Sequence, residues 1–389
     1  MRWALVTSML AVSAVHAADL SDPQRLTRIR SQMARTLARL PDYTCRETIE
    51  RALRRPPSKQ YENRDILRVD VAYLNGHELY AWPGDRLGEQ RLFDMVPDGS
   101  IATGNFGMLG RAVFADNGPI FHFEGISAAN GKTQVKYSFQ VPLANSTYTV
   151  RYGVLAATVA YHGWFTADAD TYDVIAFEIE ANEIPRNLDT LQAAEYTEYA
   201  RAHIGTGDYL IPAASETTLM DLKGEIARNQ ITFARCREYA GESTVTFTEP
   251  GADPPTQPSP AAPQPLPARI ELHVRLTTPI AQGATAIGDR VAAEVTRAVH
   301  GPVPIPAGSA VTLRVIGMET GALRAGSVSV IKLRLLRVDA AGQPYDVRSA
   351  TLRGVAGLGR YYGTPEGWVS VSGSLRIPAG LQMTWVTEP

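Results

Sequence analysis

Residues two apart on a strand share a face, and His122 and Glu124 in Phe121-His122-Phe123-Glu124 do so, with the phenylalanines opposite. That spacing suits a general acid–base pair, although a solvated polar face is the simpler reading. His162 in Ala160-Tyr161-His162-Gly163-Trp164 could line a cavity, but a lone histidine beside aromatics reads as a packed, hydrogen-bonded residue. Asp168, Asp170 and Asp173 begin like a calcium loop, yet its sixth-position glycine and closing glutamate are missing, so they serve a turn. Gly205-Thr206-Gly207 lacks the third glycine and the βαβ setting of a nucleotide loop and reads as a hairpin tip. No GxSxG elbow and no CxxC or HxxxH spacing occurs. No residue is therefore assigned a catalytic, cofactor-binding or metal-ligating role, and neither an enzyme nor a cofactor is expected. What favours a ligand is aromatic: Tyr73, Tyr80, Trp82, Tyr137, Phe139, Tyr161, Trp164 and Phe165 recur on strand faces. They could line a hollow or form the ordinary core of a large sheet.

The elements that carry these residues are mostly strands. Thr44–Glu50 and Ile66–Leu74 alternate with period two, and Asn75-Gly76 then signals a hairpin returning through His77–Trp82. Gly104–Phe114 breaks the pattern and fits a short helix through Phe106, Leu109 and Val113. Strands resume at Ile120–Phe123, Gln134–Val141 and Thr147–Tyr152. Ala157–Phe165 and Tyr172–Glu180 flank the Asp168–Asp170 turn, and Glu195–His203, Tyr209–Thr218 and Ile231–Phe247 complete the set. A helix leads them: Asp22 as cap, Pro23 at the first helical position, and Leu26, Ile29, Met33, Leu37 and Leu40 at spacings of three and four. Its arginines 25, 28, 35 and 39 suggest either lipid binding or solvated faces of a helix packed on a sheet; packing is the plainer reading. The fold class is mainly β: a large curved antiparallel half-barrel with a leading and an inserted helix, plus a second small β-barrel.

The chain has 389 residues, more than one core usually serves. Between Pro250 and Pro267, eight of eighteen residues are proline. Such a run reads as a stiff polyproline II spacer, roughly 3.1 Å per residue and about 55 Å if fully extended. It divides residues 18–248 from residues 269–389, with 249–268 as a linker that would hold two bodies apart. The second part carries thirteen Lys and Arg against eight Asp and Glu, too small an excess to imply nucleic acid. At the amino terminus Arg2, an apolar run from Trp3 to Val15, and Val15-His16-Ala17 have the layout of a signal peptide cleaved after Ala17. No further stretch is long enough to span a membrane, so the mature chain is expected in the periplasm or peripheral to the outer membrane. In an exported chain, Cys45 and Cys236 are expected to pair as a disulfide.

The second part alternates cleanly. Ile270, Leu272, Val274 and Leu276 oppose Arg269, Glu271, His273 and Arg275. Ile305-Pro306-Ala307-Gly308 and Ile377-Pro378-Ala379-Gly380 each precede a strand, as equivalent corners of one small barrel would.

Two resemblances accompany this reading. Leu40-Pro41-Asp42-Tyr43-Thr44-Cys45, Tyr73-Leu74-Asn75-Gly76-His77-Glu78, Gly163-Trp164-Phe165 and Leu210-Ile211-Pro212 resemble an uncharacterised group of exported bacterial proteins similar to the LolA/LolB-type fold. That resemblance implies a half-open barrel with a helical lid whose concavity receives acyl chains of lipoproteins or other envelope lipids. Ile287-Gly288-Asp289-Arg290-Val291-Ala292-Ala293 followed by Ile305-Pro306-Ala307-Gly308-Ser309 is similar to the carboxy-terminal barrel of VirB10/TrbI-type conjugation proteins. The expectation is an exported cell-envelope binding protein. Its first domain would enclose a lipid or lipoprotein acyl chain, and its barrel would dock to an envelope protein or cell-wall partner. The alternative is a structural scaffold of a VirB10-like envelope or secretion assembly.

Overall fold

Helix α1 (Asp22–Arg39) begins on Ser21, whose backbone N–H donates to the Gln24 side chain at 3.2 Å. The cap is thus one residue earlier than Asp22, because serine three residues before glutamine forms a capping box. The computed structural model describes residues 21–239 and 263–389, apart from 75–76, 89, 97–98, 116–117, 130, 153, 324–325 and 357–360. The segment expected to be a signal peptide, the Asn75-Gly76 pair and the proline-rich run before Pro263 lie outside the described residues. Ile29 and Met33 turn the buried stripe of α1 toward the sheet. Its arginines are not simply solvated. Arg25 is 2% exposed and lies 5.8 Å from the centre of the Phe123 ring. Arg28 and Arg30 cover Tyr172 and Phe121 at 5.6 and 5.4 Å, so their planar guanidiniums help dock the helix.

Among the described residues the first part contributes twelve strands. They are β1 (Tyr43–Arg54), β2 (Glu62–Leu74), β3 (His77–Ala81), β4 (Ile120–Ala129), β5 (Lys132–Val141) and β6 (Thr149–Tyr152). Then come β7 (Leu155–Thr158), β8 (Tyr161–Asp168), β9 (Val174–Ala181), β10 (Thr190–Ile204), β11 (Gly207–Asp221) and β12 (Ile226–Glu238). Ten of them form one antiparallel sheet in the order β3-β2-β1-β12-β11-β10-β9-β8-β5-β4. β3 and β4 end the row without pairing with each other, so the curled sheet stays a half-barrel with two edges. The segment expected as one strand, Ala157–Phe165, is broken: Leu155–Thr158 folds back on β6 as a separate hairpin, and Tyr161 starts β8. Between β3 and β4 the chain leaves the sheet and forms α2 (Leu92–Met95) and α3 (Met108–Phe114). Cys45 and Cys236 are joined as a disulfide between β1 and β12.

The second part forms its own sheet. Its strands are β13 (Gln264–Pro265), β14 (Glu271–Leu276), β15 (Ile280–Ala281), β16 (Arg290–Val295), β17 (Ala310–Leu323) and β18 (Gly326–Ala340). They continue with β19 (Gln343–Asp346), β20 (Ala350–Ala356), β21 (Tyr361–Gly363), β22 (Trp368–Ser372), β23 (Arg376–Ile377) and β24 (Gln382–Thr387). The main order is β13-β19-β18-β17-β16-β14-β24-β20, with β22 and β21 branching from β18. The repeated IPAG corners are equivalent. Gly308 donates to the Val295 carbonyl and Gly380 to that of Leu276, both at 2.8 Å, with φ of +85° and +99° that favour glycine. The end of the proline-rich run is no free spacer: Gln264–Pro265 pairs with β19, and Leu266 is buried.

The two bodies are not held apart. Strand β3 covers β2 only from Asp70 onward, leaving the edge at Ile66–Arg68 open. Ile287 fills it, donating to the Ile66 carbonyl and accepting from the Arg68 N–H, both at 2.8 Å. Gly288 (φ +101°) packs so closely that a Cβ there would lie 2.2 Å from the Arg68 carbonyl and 2.7 Å from the Trp82 ring. Asp289 pairs with Arg68, and Asp85 accepts from Arg290 and Arg314 at 3.0 and 2.7 Å. An unpaired strand edge is a liability that a covering element removes; here the second body covers it.

Candidate functional site

The inward face of the half-barrel is set by strand parity. On β1 the odd residues Tyr43, Cys45, Glu47, Ile49 and Arg51 are buried. Cross-strand registers carry this face around the sheet to Phe165 and Phe177 on β8 and β9, and to Tyr137 and Phe139 on β5. The face has two kinds of surface.

Toward β4 it is aromatic and aliphatic. Tyr137 stacks on Phe165 with ring centres 5.3 Å apart, and Phe121 meets Phe139 and Phe165 at 5.9 and 6.0 Å. What fills the concavity is not another sheet. Ile29 and Met33 of α1 enter it with Leu109, Val113 and Phe114 of the inserted segment. The Phe114 ring stands edge-on to Phe165 and Phe177 at 5.1 and 6.1 Å. Each such pair adds about 0.5–1.5 kcal/mol beyond burial.

Toward β2 a polar seam crosses the face. Glu195 on β10 lies opposite Thr217, Thr217 opposite Asn229, Asn229 opposite Arg51, and Arg51 opposite Asp65, one residue from each of five strands. All five are at most 9% exposed. Arg51 and Asp65 form a bidentate pair at 2.6 and 2.6 Å. Asn229 donates to the Ser100 carbonyl at 3.1 Å. Thr197 and Ser215 share a hydroxyl hydrogen bond at 3.2 Å in the adjacent row. Glu47 lies farther along β1 at 0% exposure. Both Glu47 oxygens, one Glu195 oxygen and the Asn229 Oδ1 have no hydrogen-bond partner among the described residues. Leaving a buried polar group unsatisfied costs about 1–3 kcal/mol.

Burial raises the Glu47 and Glu195 carboxyls well above the usual carboxylate range, and the Glu78 charge raises both further. Burial thus favours their neutral forms. Half-buried Glu78 on β3 is held differently. It accepts from the Tyr80 hydroxyl at 2.7 Å and from the backbone N–H groups of Gly104, Gly107 and Met108 at 2.7, 3.0 and 3.4 Å. Desolvation still raises its pKa, with these four hydrogen bonds pulling the other way. Glu78 thus ties the inserted segment to the sheet. The glycines of that segment let it lie on the tyrosines: a Cβ on Gly107 would come within 2.8 Å of the Tyr73 ring, and one on Gly110 within 2.3 Å of the Tyr199 hydroxyl.

The residues weighed for chemistry stay apart from this face. His122 and Glu124 are exposed, and Glu124 accepts from Ser138. His162 is exposed and meets the Asn182 side chain at 2.7 Å. Asp168 accepts from the Asp170 and Thr171 N–H groups, both at 2.9 Å, closing a turn, while Asp173 pairs with Arg201. Of the eight aromatics, six face inward; Trp164 lies on the opposite face beside Glu178 and Tyr196, and Trp82 packs on Gly288. The described residues hold no group of three or more His, Cys, Asp or Glu suited to a metal, and no helix among them is long and apolar enough to cross a membrane. Sequence reasoning missed the buried acids. The available signal was parity, since Glu47 falls in phase with Cys45 and Ile49.

No family model and no curated protein matches the chain. Among solved structures it is similar to a domain described as an outer membrane lipoprotein-sorting protein from Vibrio parahaemolyticus, at 12% identity and a TM-score of 0.32, over 56% of this chain and 93% of that one. A DUF1329 family protein from Desulfovibrio piger is similar at 10% identity and a TM-score of 0.30, over 56% and 95%. The Mycobacterium tuberculosis lipoprotein LppX is similar at 10% identity and a TM-score of 0.20, over 57% and 99%.

Proposed function

We propose that this is an exported, non-enzymatic binding protein of the cell envelope whose half-barrel encloses the apolar chain of a lipid or lipoprotein. One observation carries the reading. The aromatic half of the inward face is covered by Leu109, Val113 and Phe114, which belong to a segment outside the sheet and occupy the place an acyl chain would take. Displacing that segment breaks the Glu78 hydrogen bonds and exposes a concave apolar surface without disturbing any strand pairing. The disulfide fits an oxidising compartment. The second body, seated on the β2 edge, leaves its remaining surface for an envelope partner.

Native mass spectrometry of the protein secreted to the periplasm, with extraction of bound lipid, tests this. Stoichiometric lipid is expected. A ligand-free protein that also takes up no lipid from vesicles of phosphatidylethanolamine and phosphatidylglycerol would rule the carrier out. Ring-sized assemblies in detergent extracts would instead favour a scaffold.

A further inference from the structure

We propose that the polar seam is a head-group subsite for an amphiphile bearing a primary ammonium, whose chain occupies the aromatic half of the same face. This rests on the carrier reading and names its ligand class. Three side-chain oxygens, two on Glu47 and one on Glu195, have no hydrogen-bond partner among the described residues, both side chains are at most 2% exposed, and the Glu47 charge acts on Glu195. An ammonium brings three N–H donors and no acceptor, which is the complement of that set.

The surrounding groups do not already fill the role. Arg51 on β1 is engaged bidentately by Asp65 on β2. Tyr80 on β3 donates to Glu78, and Tyr43 donates to the Phe106 carbonyl at 3.4 Å. Tyr73 and Tyr199 lie against Gly107 and Gly110 of the covering segment. The unpartnered Glu47 and Glu195 oxygens meet no hydrogen-bond donor among the described residues, and burial favours the neutral forms of both acids. An arriving ammonium favours the carboxylate forms, so binding expels protons and creates charge-assisted hydrogen bonds. The seam and the aromatic patch adjoin on one sheet face, Glu195 lying opposite Ile179 and Thr197 opposite Phe177. The two surfaces are thus contiguous on one face.

Calorimetry of the full chain decides the matter, with dodecylamine, dodecyltrimethylammonium and dodecanoate as probes below their micelle concentrations. Dodecylamine should bind about ten-fold or more tighter than the trimethylammonium probe, which has equal charge and no N–H. Its apparent enthalpy should differ between phosphate and Tris buffers, as proton release requires. E47Q combined with E195Q, or E195Q alone should the pair fail to fold, should erase the preference and the buffer dependence while dodecanoate binding persists. Equal binding of all three probes, unchanged in the variants, overturns the subsite and leaves the carrier standing, the seam then holding water only. If none of the three binds, both readings fall.

Discussion

Replacing Gly288 by alanine isolates the contact between the two bodies. The glycine sits at φ +101°, where an L side chain costs about 1–2 kcal/mol. Its new Cβ would lie 2.2 Å from the Arg68 carbonyl and 2.7 Å from the Trp82 ring, and overpacking of that kind costs about 1–3 kcal/mol more. The Arg68 carbonyl is fixed backbone and cannot swing aside as a flexible side chain would. The clash has one cheap release, which is to separate the bodies, so its penalty cannot exceed the free energy of docking. Undocking loses two backbone hydrogen bonds at about 1 kcal/mol each and the ion pairs around Asp85 and Asp289. G288A should therefore undock the second body instead of unfolding either sheet. Hydrogen exchange reads this directly: the Arg68 and Ile287 amides should lose protection while those of β1 and β12 keep theirs. If both amides stay as protected as in the parent and the melting temperature is unchanged, the account of this edge is wrong.

Three further outcomes follow from the charges and the disulfide. Burial raises the pKa of Asp85, but the hydrogen bonds and charges of Arg314 and Arg290 outweigh it and hold the carboxyl below its usual value. Its stabilisation is therefore present above the unfolded pKa and lost as pH falls through the depressed one; D85A should weaken docking by about 1–3 kcal/mol at neutral pH, toward the lower end because the site is half exposed, and progressively less as pH falls below about 3.9, as exchange of the Ile287 amide would report. Glu47 and Glu195 have the opposite sign. Raised in the fold, they stabilise fully below their unfolded pKa, and that contribution drains away as pH rises toward the folded one; E47Q with E195Q should flatten the fall of the melting temperature between pH 5 and 9, and an unchanged slope would refute it. Removing Cys45 and Cys236 together opens a closure of 191 residues, which the chain-entropy model values at roughly 5 kcal/mol as an upper figure; denaturant melts with and without reductant measure it.

Period-two alternation was enough to place most strands of both sheets, since burying one face of a pleated strand leaves little choice of residue type. The break in that pattern also placed an inserted helix within Gly104–Phe114, because the glycines there cannot build a strand interior well, although the helix begins only at Met108 and leaves Phe106 outside. What stayed hidden depended on partners distant in sequence. The seam joins Glu195, Thr217, Asn229, Arg51 and Asp65 through four registers, and no local pattern encodes a register. Glu47 was the exception: an acid in phase with Cys45 and Ile49 already marked a buried carboxyl. The break between Leu155–Thr158 and Tyr161–Asp168 was invisible because Val159-Ala160 between them carries no turn residue. The docking of Ile287 on Ile66–Arg68 could not be read either, since a free edge is known only once β3 is seen to stop short.

That docking is the kind of contact a tether can sustain and a free pair cannot. Two backbone hydrogen bonds, the Trp82–Gly288 contact, the apolar packing that runs from Leu67 to Ile287, the carbonyls of Ala284 and Gly84 accepting from Arg68 and Arg290, and ion pairs that are partly exposed make up the attraction, and half-exposed pairs contribute little each. Bodies joined by one chain meet at an effective concentration on the order of mM, so an interface too weak to hold at micromolar concentration between separate molecules is still mostly closed. The proline-rich run then acts less as a spacer than as the reason the interface need not be strong. Introducing a protease site between residues 240 and 262 tests this without touching the interface. After cleavage the two pieces should separate on gel filtration at about 1 μM, each retaining its β-sheet circular dichroism, and the Arg68 amide should lose its protection. Co-elution of the cleaved pieces at that concentration would mean the interface holds on its own strength and the tether is incidental.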